Sequence, residues 1–285
     1  MPTETPIVLR RLAPALGVEL GGVDFAQPAE ALPIRALYEA LLEHQLLLFR
    51  GQEVPPAAQV AIARGFGEVQ VHVMNQYHAD GYPELYRLSN ADADGRPSGR
   101  HPDRGTLAWH TDGSWMRRTG QATMLYAEVV PEEGGGTEWC DMYGAYEALD
   151  AATRAQLSGL RAIHNLDFSR SRRHGEEPMT EAQRRAVPPV DHPIVRTHPD
   201  TGRKAIFLGD HAESIVGTDY AQGREFIDAL NTRVVRPELV YSHRWQARDF
   251  VIWDNRCTLH RALEFDTAQV LRVIRRCTVL GEVPA

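Results

Sequence analysis

Trp109-His110-Thr111-Asp112-Gly113-Ser114-Trp115 is the stretch that decides the fold of this chain. Its aromatic and β-branched residues, together with the apolar run that follows, predict a β-strand. Because side chains alternate between the two faces of a strand, His110, Asp112 and Ser114 are expected on one face. An imidazole and a carboxylate placed this way can reach one metal ion. The stretch therefore predicts either a metal site or a polar pair at the mouth of a barrel.

The spacing alone does not single out this pair, since His-x-Asp occurs at four places in the chain. The other three are His78/Asp80, His101/Asp103 and His198/Asp200. Each of these three contains or adjoins proline or glycine, which is typical of turns. Only the pair at 110 and 112 lies in a strand-like sequence.

The composition describes an ordinary globular protein. The chain has 285 residues, of which 43% are hydrophobic and 24% are charged, enough for a sizeable core. The formal net charge of −7 argues against nucleic acid or an anionic membrane as the main partner. No apolar run approaches the roughly 18 residues of a membrane span.

The three cysteines and the first residues bear on the compartment. The cysteine count is odd and there is no Cys-x-x-Cys, which favours neither a disulfide framework nor a thiolate zinc site. Residues 1–6 lack the basic and apolar regions of a signal peptide. Both observations predict a cytoplasmic protein.

Short apolar stretches separated by glycine turns predict a mainly β fold with flanking helices. We expect one domain over residues 1–285, built as a double-stranded β-helix, the jelly roll of the cupin type. Helices are expected at 31–44, 55–66, 145–157 and 224–235. Strands are expected at 46–49, 122–130, 137–140, 194–197, 205–208, 239–243, 250–253 and 270–280.

Two segments, 72–106 and 165–193, are expected to cover the barrel as lids. The first includes a long loop rich in Asn, Asp, Gly, Pro and Arg, and such loops are usually either functional or disordered. The second has one small helix capped by Thr180 and carries a run of arginines. That run fits either a solvated face or a mobile cover that attracts an anion.

His260 supplies the second part of the predicted site. A lone histidine after an apolar strand is more often a core residue. His110, Asp112 and His260 together, however, make up two imidazoles and one carboxylate, the facial triad of non-heme Fe(II) oxygenases. Three ligands leave positions open for a co-substrate and O₂, which a closed four-ligand site would not.

The last predicted strand carries Arg272 and Arg276 on one face. Two arginines that point into a barrel need counter-charges, because an unpaired buried charge is costly. A dicarboxylate fits, since guanidinium pairs bidentately with carboxylate. The alternative is an exposed edge strand with structural salt bridges.

With these residues identified, the chain resembles the taurine / 2,4-dichlorophenoxyacetate dioxygenase family of Fe(II)/2-oxoglutarate enzymes. The resemblance runs from about Gly17 to the C-terminus. Within the family, the sequence resembles the 2,4-dichlorophenoxyacetate branch most. The matching motifs are Trp-His-Thr-Asp (109–112), Gly-Gly-Gly-Thr-Glu (134–138), Cys-Asp-Met (140–142), Pro-Pro-Val (188–190), Val-Arg-Thr-His (195–198), Gly-Arg-Lys (202–204) and Trp-Asp-Asn-Arg-Cys-x-Leu-His-Arg (253–261).

The resemblance implies a role for each site residue. The ligands of Fe(II) are His110, Asp112 and His260. O₂ is a substrate of the reaction alongside the organic substrate. Thr137 and Arg272 hold the distal carboxylate of 2-oxoglutarate. Arg276 lies near the C1 carboxylate of the co-substrate and the anionic group of the substrate. His72 makes a further contact to that anionic group.

The implied reaction is hydroxylation of a small anionic substrate next to a heteroatom. An aryloxyalkanoate-type carboxylate is expected, with ether cleavage and release of succinate and CO₂. An alkylsulfate or sulfonate dioxygenase is the alternative, although Thr106 stands where the taurine enzymes have Asn. The resemblance also implies a homo-oligomer, a dimer or a tetramer.

Two other classes of protein remain open at this point. A metal-dependent hydrolase, in which Zn²⁺ activates water, would need no O₂ or 2-oxoglutarate. It leaves Arg272 and Thr137 without a role. A non-catalytic barrel that binds an acidic metabolite predicts ligand binding that survives loss of the metal.

Overall fold

The computed structural model describes residues 7–285. Its helices are α1 (Ile34–His44), α2 (Pro56–Phe66), α3 (Met142–Glu147), α4 (Ala151–Leu157), α5 (Glu181–Ala186) and α6 (Tyr220–Val234), with a π-helix at Phe168–Arg173 between α4 and α5. Its strands are β1 (Ile7–Arg11), β2 (Val18–Gly21), β3 (Leu46–Phe49), β4 (His78–Ala79), β5 (Tyr82–Ser89), β6 (Gly120–Val129), β7 (Thr137–Asp141), β8 (Arg161–His164), β9 (Val190–Pro193), β10 (Val195–Thr197), β11 (Lys204–Ile206), β12 (Ala212–Ile215), β13 (Val240–His243), β14 (Phe250–Asp254), β15 (Thr258–Ala262) and β16 (Val273–Leu280).

An eight-stranded sheet and a three-stranded sheet form the barrel. The large sheet has the order β1-β2-β3-β14-β6-β16-β5-β4, and the small one has the order β13-β7-β15. Trp139 of β7 packs edge-on against Trp253 of β14, with ring centroids 5.5 Å apart, so the two sheets face each other. Two further sheets, the three-stranded β12-β8-β9 and the two-stranded β10-β11, complete the fold. The predicted jelly roll is confirmed.

Both faces of the large sheet are buried, which explains the continuous apolar run of β14. Phe250 and Ile252 belong to the core beneath α1 and α2. Val251 and Trp253 point the other way, into the core between the two sheets. A strand buried on both faces shows no polar alternation, because each side chain meets a different core.

The predicted helix at 145–157 is two helices, and the predicted last strand begins later than expected. Asp150 interrupts the helix because its carboxylate caps α4, accepting from the Thr153 amide at 2.8 Å. Arg272 precedes β16 because its amide donates to the Asn90 side chain at 2.7 Å instead of to a neighbouring strand. The small helix expected after Thr180 is confirmed as α5, which begins with a capping box.

The predicted strand at 109–115 is wrong. His110 makes only an isolated antiparallel bridge with His260, through amide-to-carbonyl bonds of 2.9 and 2.8 Å. A turn follows at 112–115. Gly113 has a φ of +71°, and a Cβ there would lie 2.7 Å from the Gly120 amide nitrogen. Close packing against the start of β6 therefore requires glycine, and the glycine turn ends the extended chain directly after Asp112.

The two segments expected to act as lids contain regular structure of their own. Residues 82–89 of the first segment form β5, an interior strand of the large sheet. Only the parts on either side of the β4–β5 hairpin can therefore cover the barrel. The second segment contains the π-helix, α5 and β9. None of the helices within residues 7–285 has both the length and the apolar character needed to cross a membrane.

Candidate metal centre and its two cavities

His110, Asp112 and His260 meet between the two sheets. One potential ligand atom from each residue lies within 4.8 Å of the others, and all three side chains are buried. The Nε2 atoms of His110 and His260 lie 3.9 and 3.8 Å from the two carboxylate oxygens of Asp112. These separations are too long for hydrogen bonds. They suit one ion that contacts each ligand at about 2.1 Å.

Both histidines present a nitrogen that a metal can bind. The Nδ1 of His110 donates to the Ala108 carbonyl at 2.8 Å, so its Nε2 carries the lone pair. Burial, with a smaller contribution from His110, holds the pKa of His260 well below its ordinary value. His260 is therefore neutral, the form that metal binding requires. Its ring packs against Trp253, with centroids 4.7 Å apart.

Asp112 is held as an anion by two donors. Thr123 Oγ1 donates to one carboxylate oxygen at 2.8 Å, and Arg276 donates to the other at 3.0 Å. Burial would raise the pKa of Asp112, but the charge of Arg276 holds it well below its usual range. Asn255 in turn donates to Thr123 at 2.8 Å, which fixes the hydroxyl. The donor set therefore fits a divalent metal ion with open positions.

A cavity of about 400 Å³ lies on one side of the three ligands; we call it the Arg272 cavity. Arg272 is buried, and its Nε donates to the Gly135 carbonyl at 2.9 Å. Gly135 allows this approach, since a Cβ there would lie 3.1 Å from the Arg272 side chain. Burial lowers the pKa of Arg272 to about 10, and no carboxylate in residues 7–285 pairs with it. The cavity thus offers a cation that lacks a counter-ion.

Thr137 lines the same cavity with its hydroxyl oriented by Trp245. The indole Nε1 of Trp245 donates to Thr137 Oγ1 at 2.9 Å. Because the hydroxyl already accepts this bond, its own hydrogen is available for an acceptor in the cavity. A threonine donor beside an unpaired guanidinium suits a carboxylate.

A second cavity, of about 490 Å³, lies on the other side of the ligands; we call it the Trp115 cavity. His72 is wedged between Trp115 and Tyr86, with ring centroids 5.1 and 4.8 Å away. Burial and then the charge of Arg276 hold the pKa of His72 well below its ordinary value. Arg276 lines both cavities, so its guanidinium lies where they meet.

The structure brings the predicted site residues together. His72 and Arg276 line the Trp115 cavity, while Thr137 and Arg272 line the Arg272 cavity, and Arg276 reaches both. Ser114 does not share a face with His110, because the glycine turn redirects it. It lies fully buried, and its hydroxyl has no hydrogen-bond partner in the described part of the chain.

Sequence reasoning missed the residues that support the metal centre through a chain of hydrogen bonds ending at Asp112. Trp253 donates to Asn255, which donates to Thr123, which donates to Asp112. The Trp-Asp-Asn motif was visible, but nothing in the spacing showed that its asparagine faces a strand 130 residues earlier. Sequence reasoning also missed Arg170, which lines the Trp115 cavity and was one member of a longer arginine run.

A jelly roll that holds a buried pair of imidazoles and one carboxylate defines the class of non-heme metal oxygenases. The family model of the taurine catabolism dioxygenases, TauD and TfdA, matches residues 9–278, and the chain belongs to that family. It is a 2-oxoglutarate-dependent dioxygenase. The hydrolase and the non-catalytic barrel therefore lose their support.

Individual relatives cover almost the whole chain. The alpha-ketoglutarate-dependent 2,4-dichlorophenoxyacetate dioxygenase of Cupriavidus pinatubonensis is 37% identical over 284 residues, 97% of this chain and 98% of its own. The alkylsulfatase of Acinetobacter baylyi is 30% identical and spans 96% of this chain and 85% of its own. Among solved structures, AAD-2 in complex with Mn(II) and N-oxalylglycine has a TM-score of 0.85 at 33% identity, covering 99% of this chain and 98% of that one.

Proposed function

We propose that the enzyme hydroxylates an aryloxyalkanoate-type carboxylate at the carbon next to the ether oxygen. The observation that supports this most directly is the arrangement of two cavities on either side of one metal-binding cluster. One cavity offers donors for a dicarboxylate, and the other combines aromatic walls with basic groups. Two of the relatives, 37% and 34% identical to this chain, are named as a 2,4-dichlorophenoxyacetate dioxygenase and an (S)-phenoxypropionate dioxygenase.

The residue roles are proposals that the resemblance to the family implies, and the positions of the residues around the two cavities support them. His110, Asp112 and His260 hold Fe(II). Thr137 and Arg272 take the distal carboxylate of 2-oxoglutarate, and Arg276 lies between its C1 carboxylate and the substrate. His72 contacts the anionic group of the substrate.

The bound iron, together with 2-oxoglutarate and O₂, supplies the chemistry that puts one oxygen atom into a C–H bond while the co-substrate leaves as succinate and CO₂. The residues of the chain position the two organic molecules and exclude water. Thr123 and Arg276 keep Asp112 ionised, and the bond from His110 Nδ1 to the Ala108 carbonyl leaves its Nε2 facing the metal position. A substrate hydroxylated on its ether carbon is a hemiacetal, which breaks into a phenol and an aldehyde.

An alkylsulfate is the second candidate substrate, and the 30% identical alkylsulfatase supports it. A sulfate ester carries the same anionic charge next to an oxygen-bearing carbon. Hydroxylation of that carbon would release sulfate and an aldehyde. The two candidate substrates differ in the part of the molecule that carries the anionic group. The walls of the Trp115 cavity select between these parts.

The first experiment is to add Fe(II) and 2-oxoglutarate to the apo-protein without oxygen and to record the visible spectrum. We expect a charge-transfer band that shifts when phenoxyacetate or an alkylsulfate is added. Under air, the same mixture should form succinate together with phenol or sulfate. Asp112→Ala should give neither the band nor the products. Bound metal without a band would contradict the proposed chelation of 2-oxoglutarate.

Three coarser expectations stay proposals as well. We propose a single dioxygenase domain with lid segments within 72–106 and 165–193; one family model spanning residues 9–278 supports this. We propose a cytoplasmic location, with which the three free, buried cysteines are compatible. We propose a dimer or a tetramer, which sedimentation measurements will test.

A further inference from the structure

The arginines of the second lid segment are not equivalent. Most lie on the surface or pair with a carboxylate: Arg172 is 69% exposed beside Glu213, and Arg173 lies 3.1 Å from Asp210. Arg170 is different, since only 6% of its side chain is exposed and it lines the Trp115 cavity. The run therefore contains one inward-facing arginine among solvated ones.

The π-helix at Phe168–Arg173 explains this difference. Ser171 donates to the Asp167 carbonyl at 2.6 Å, and Ser169 bonds the Leu166 carbonyl and the His211 ring at 3.0 and 2.8 Å. These bonds hold a wide helical turn against the segment that follows Gly209. π-helical turns are rare in proteins and are frequently found at functional sites.

Arg170 lacks a good counter-ion among the described residues. Its Nε is buried without any hydrogen-bond partner in residues 7–285. Its ion pair with Glu176 is 3.9 Å long, and that carboxylate also accepts from the Arg104 amide at 3.1 Å. The Tyr77 ring centroid lies 5.9 Å from the guanidinium carbon. Asp103 lines the same cavity and its charge acts on Arg170, but among the described residues the two side chains form no ion pair within 4.0 Å. A buried guanidinium in this state gains from any oxoanion that can pair with it.

The other basic groups of the cavity are less free. Arg276 is already bonded to Asp112 at 3.0 Å. His72 accepts from the Met74 amide through Nδ1 at 3.1 Å, so it is a neutral imidazole that donates through Nε2. Within residues 7–285, Arg170 is thus the cation lining this cavity that has no carboxylate within hydrogen-bond distance.

We propose that Arg170 is a specificity-determining residue that binds the oxoanion headgroup of the substrate, a carboxylate or a sulfate, in the Trp115 cavity. This inference rests on the proposed function and names the residue that reads the charge of its substrate. The guanidinium pairs with two oxygens of the headgroup, while Trp115 and Leu166 contact the rest of the molecule. Because Arg170 belongs to the second lid segment, headgroup binding also ties that segment over the cavity.

The test compares Arg170→Gln with Arg172→Gln, a surface arginine two residues away on the same helix. The enzyme loaded with Fe(II) and 2-oxoglutarate is titrated without oxygen in a calorimeter with phenoxyacetate, with an alkylsulfate and with neutral phenoxyacetamide. We expect Arg170→Gln to weaken binding of at least one of the two anions by at least about tenfold, which is typical of a lost charge-assisted hydrogen bond. Binding of phenoxyacetamide and of 2-oxoglutarate should not change.

Arg172→Gln should behave as the wild type, and Arg170→Lys should recover part of the affinity. The anion whose binding is lost identifies the headgroup as a carboxylate or a sulfate. Equal anion affinity in Arg170→Gln and wild type would overturn the role of Arg170 while leaving the proposed function standing, provided that the wild type still forms succinate and product. A wild type that binds neither anion would overturn both proposals. Circular dichroism of each variant establishes that it is folded. If Arg170→Gln is not folded, the anion affinities of Arg170→Lys test the proposal instead.

Discussion

At the scale of single residues, the metal centre depends on a hydroxyl that does not touch the metal. Thr123 donates to Asp112 and holds the orientation of its carboxylate. Thr123→Val keeps the shape and removes this donor, and we expect metal affinity to fall roughly 10- to 100-fold. Titration with Mn(II) measures it. Thr278→Val is the control, because its hydroxyl reaches Thr123 but not Asp112. Equal losses in both variants would contradict the assignment.

Trp245 makes a second prediction at this scale. Its indole orients the hydroxyl of Thr137 toward the Arg272 cavity. Trp245→Phe removes one buried hydrogen bond, worth about 1 kcal/mol, and should raise the KM for 2-oxoglutarate several-fold. The kcat and the KM for the organic substrate should change little. Steady-state kinetics with each substrate varied in turn separate these outcomes, and a change confined to kcat would argue against a positioning role.

Residue types and their order were enough to single out the three residues that form the metal-binding cluster and the basic groups that lie beside it. His110, Asp112 and His260 could be chosen because two imidazoles and a carboxylate form a recognisable donor set. Arg170 could not be distinguished from Arg172 and Arg173, because all three are arginines in one polar stretch. What distinguishes it is burial, and burial depends on a π-helix that no sequence period predicts.

At the scale of elements, the turn after Asp112 limits what the chain tolerates. Gly113 has a positive φ and no room for a Cβ, whereas Gly51 has a φ of +63° with open space around it. Gly113→Ala should therefore lower the free energy of unfolding by clearly more than Gly51→Ala, which bears only the cost of the backbone conformation. Urea denaturation of both variants measures the difference. Equal costs would show that the close approach to Gly120 can relax.

The strands were predictable where a local pattern decides them and not elsewhere. β14 was recognisable because both of its faces are buried and its sequence is continuously apolar. The stretch 109–115 has aromatic and β-branched residues, yet it forms only a bridge, because Gly113 turns the chain back against β6. The His110 imidazole and the Asp112 carboxylate still converge, because the bridge between His110 and His260 aligns the stretch as a longer strand would have done.

At the scale of the whole molecule, buried histidines couple stability to pH. His164 is fully buried, and neither ring nitrogen has a hydrogen-bond partner in the described residues. Burial, then His192, holds its pKa well below the ordinary value of about 6.5. The unfolded chain therefore binds more protons than the native one below that pH, and stability falls as the pH falls.

Replacing this histidine should weaken that dependence. In His164→Leu the titrating group is absent from both states, so the loss of unfolding free energy between pH 7 and pH 5.5 should be smaller than in the wild type. Urea denaturation at the two pH values gives the comparison. An unchanged difference would mean that other groups dominate the acid response.

The jelly roll was predictable from short strands and glycine turns, but the order of strands in the large sheet was not. That order joins segments far apart in the sequence, and hydrophobic patterns say nothing about which strands pair. β16 is the clearest example: its sequence was recognised, while its place between β5 and β6 had no sequence signal.

The position of β16 has a consequence for how the protein is made. Until Val273–Leu280 emerge from the ribosome, β5 and β6 remain two open edges with unpaired amides, a state that invites aggregation. Insertion of the late strand closes both edges at once and brings Arg276 to Asp112. The nascent chain therefore has its three metal-binding residues before β16 pairs, but Asp112 gains its bond from Arg276 only when this strand has entered the sheet.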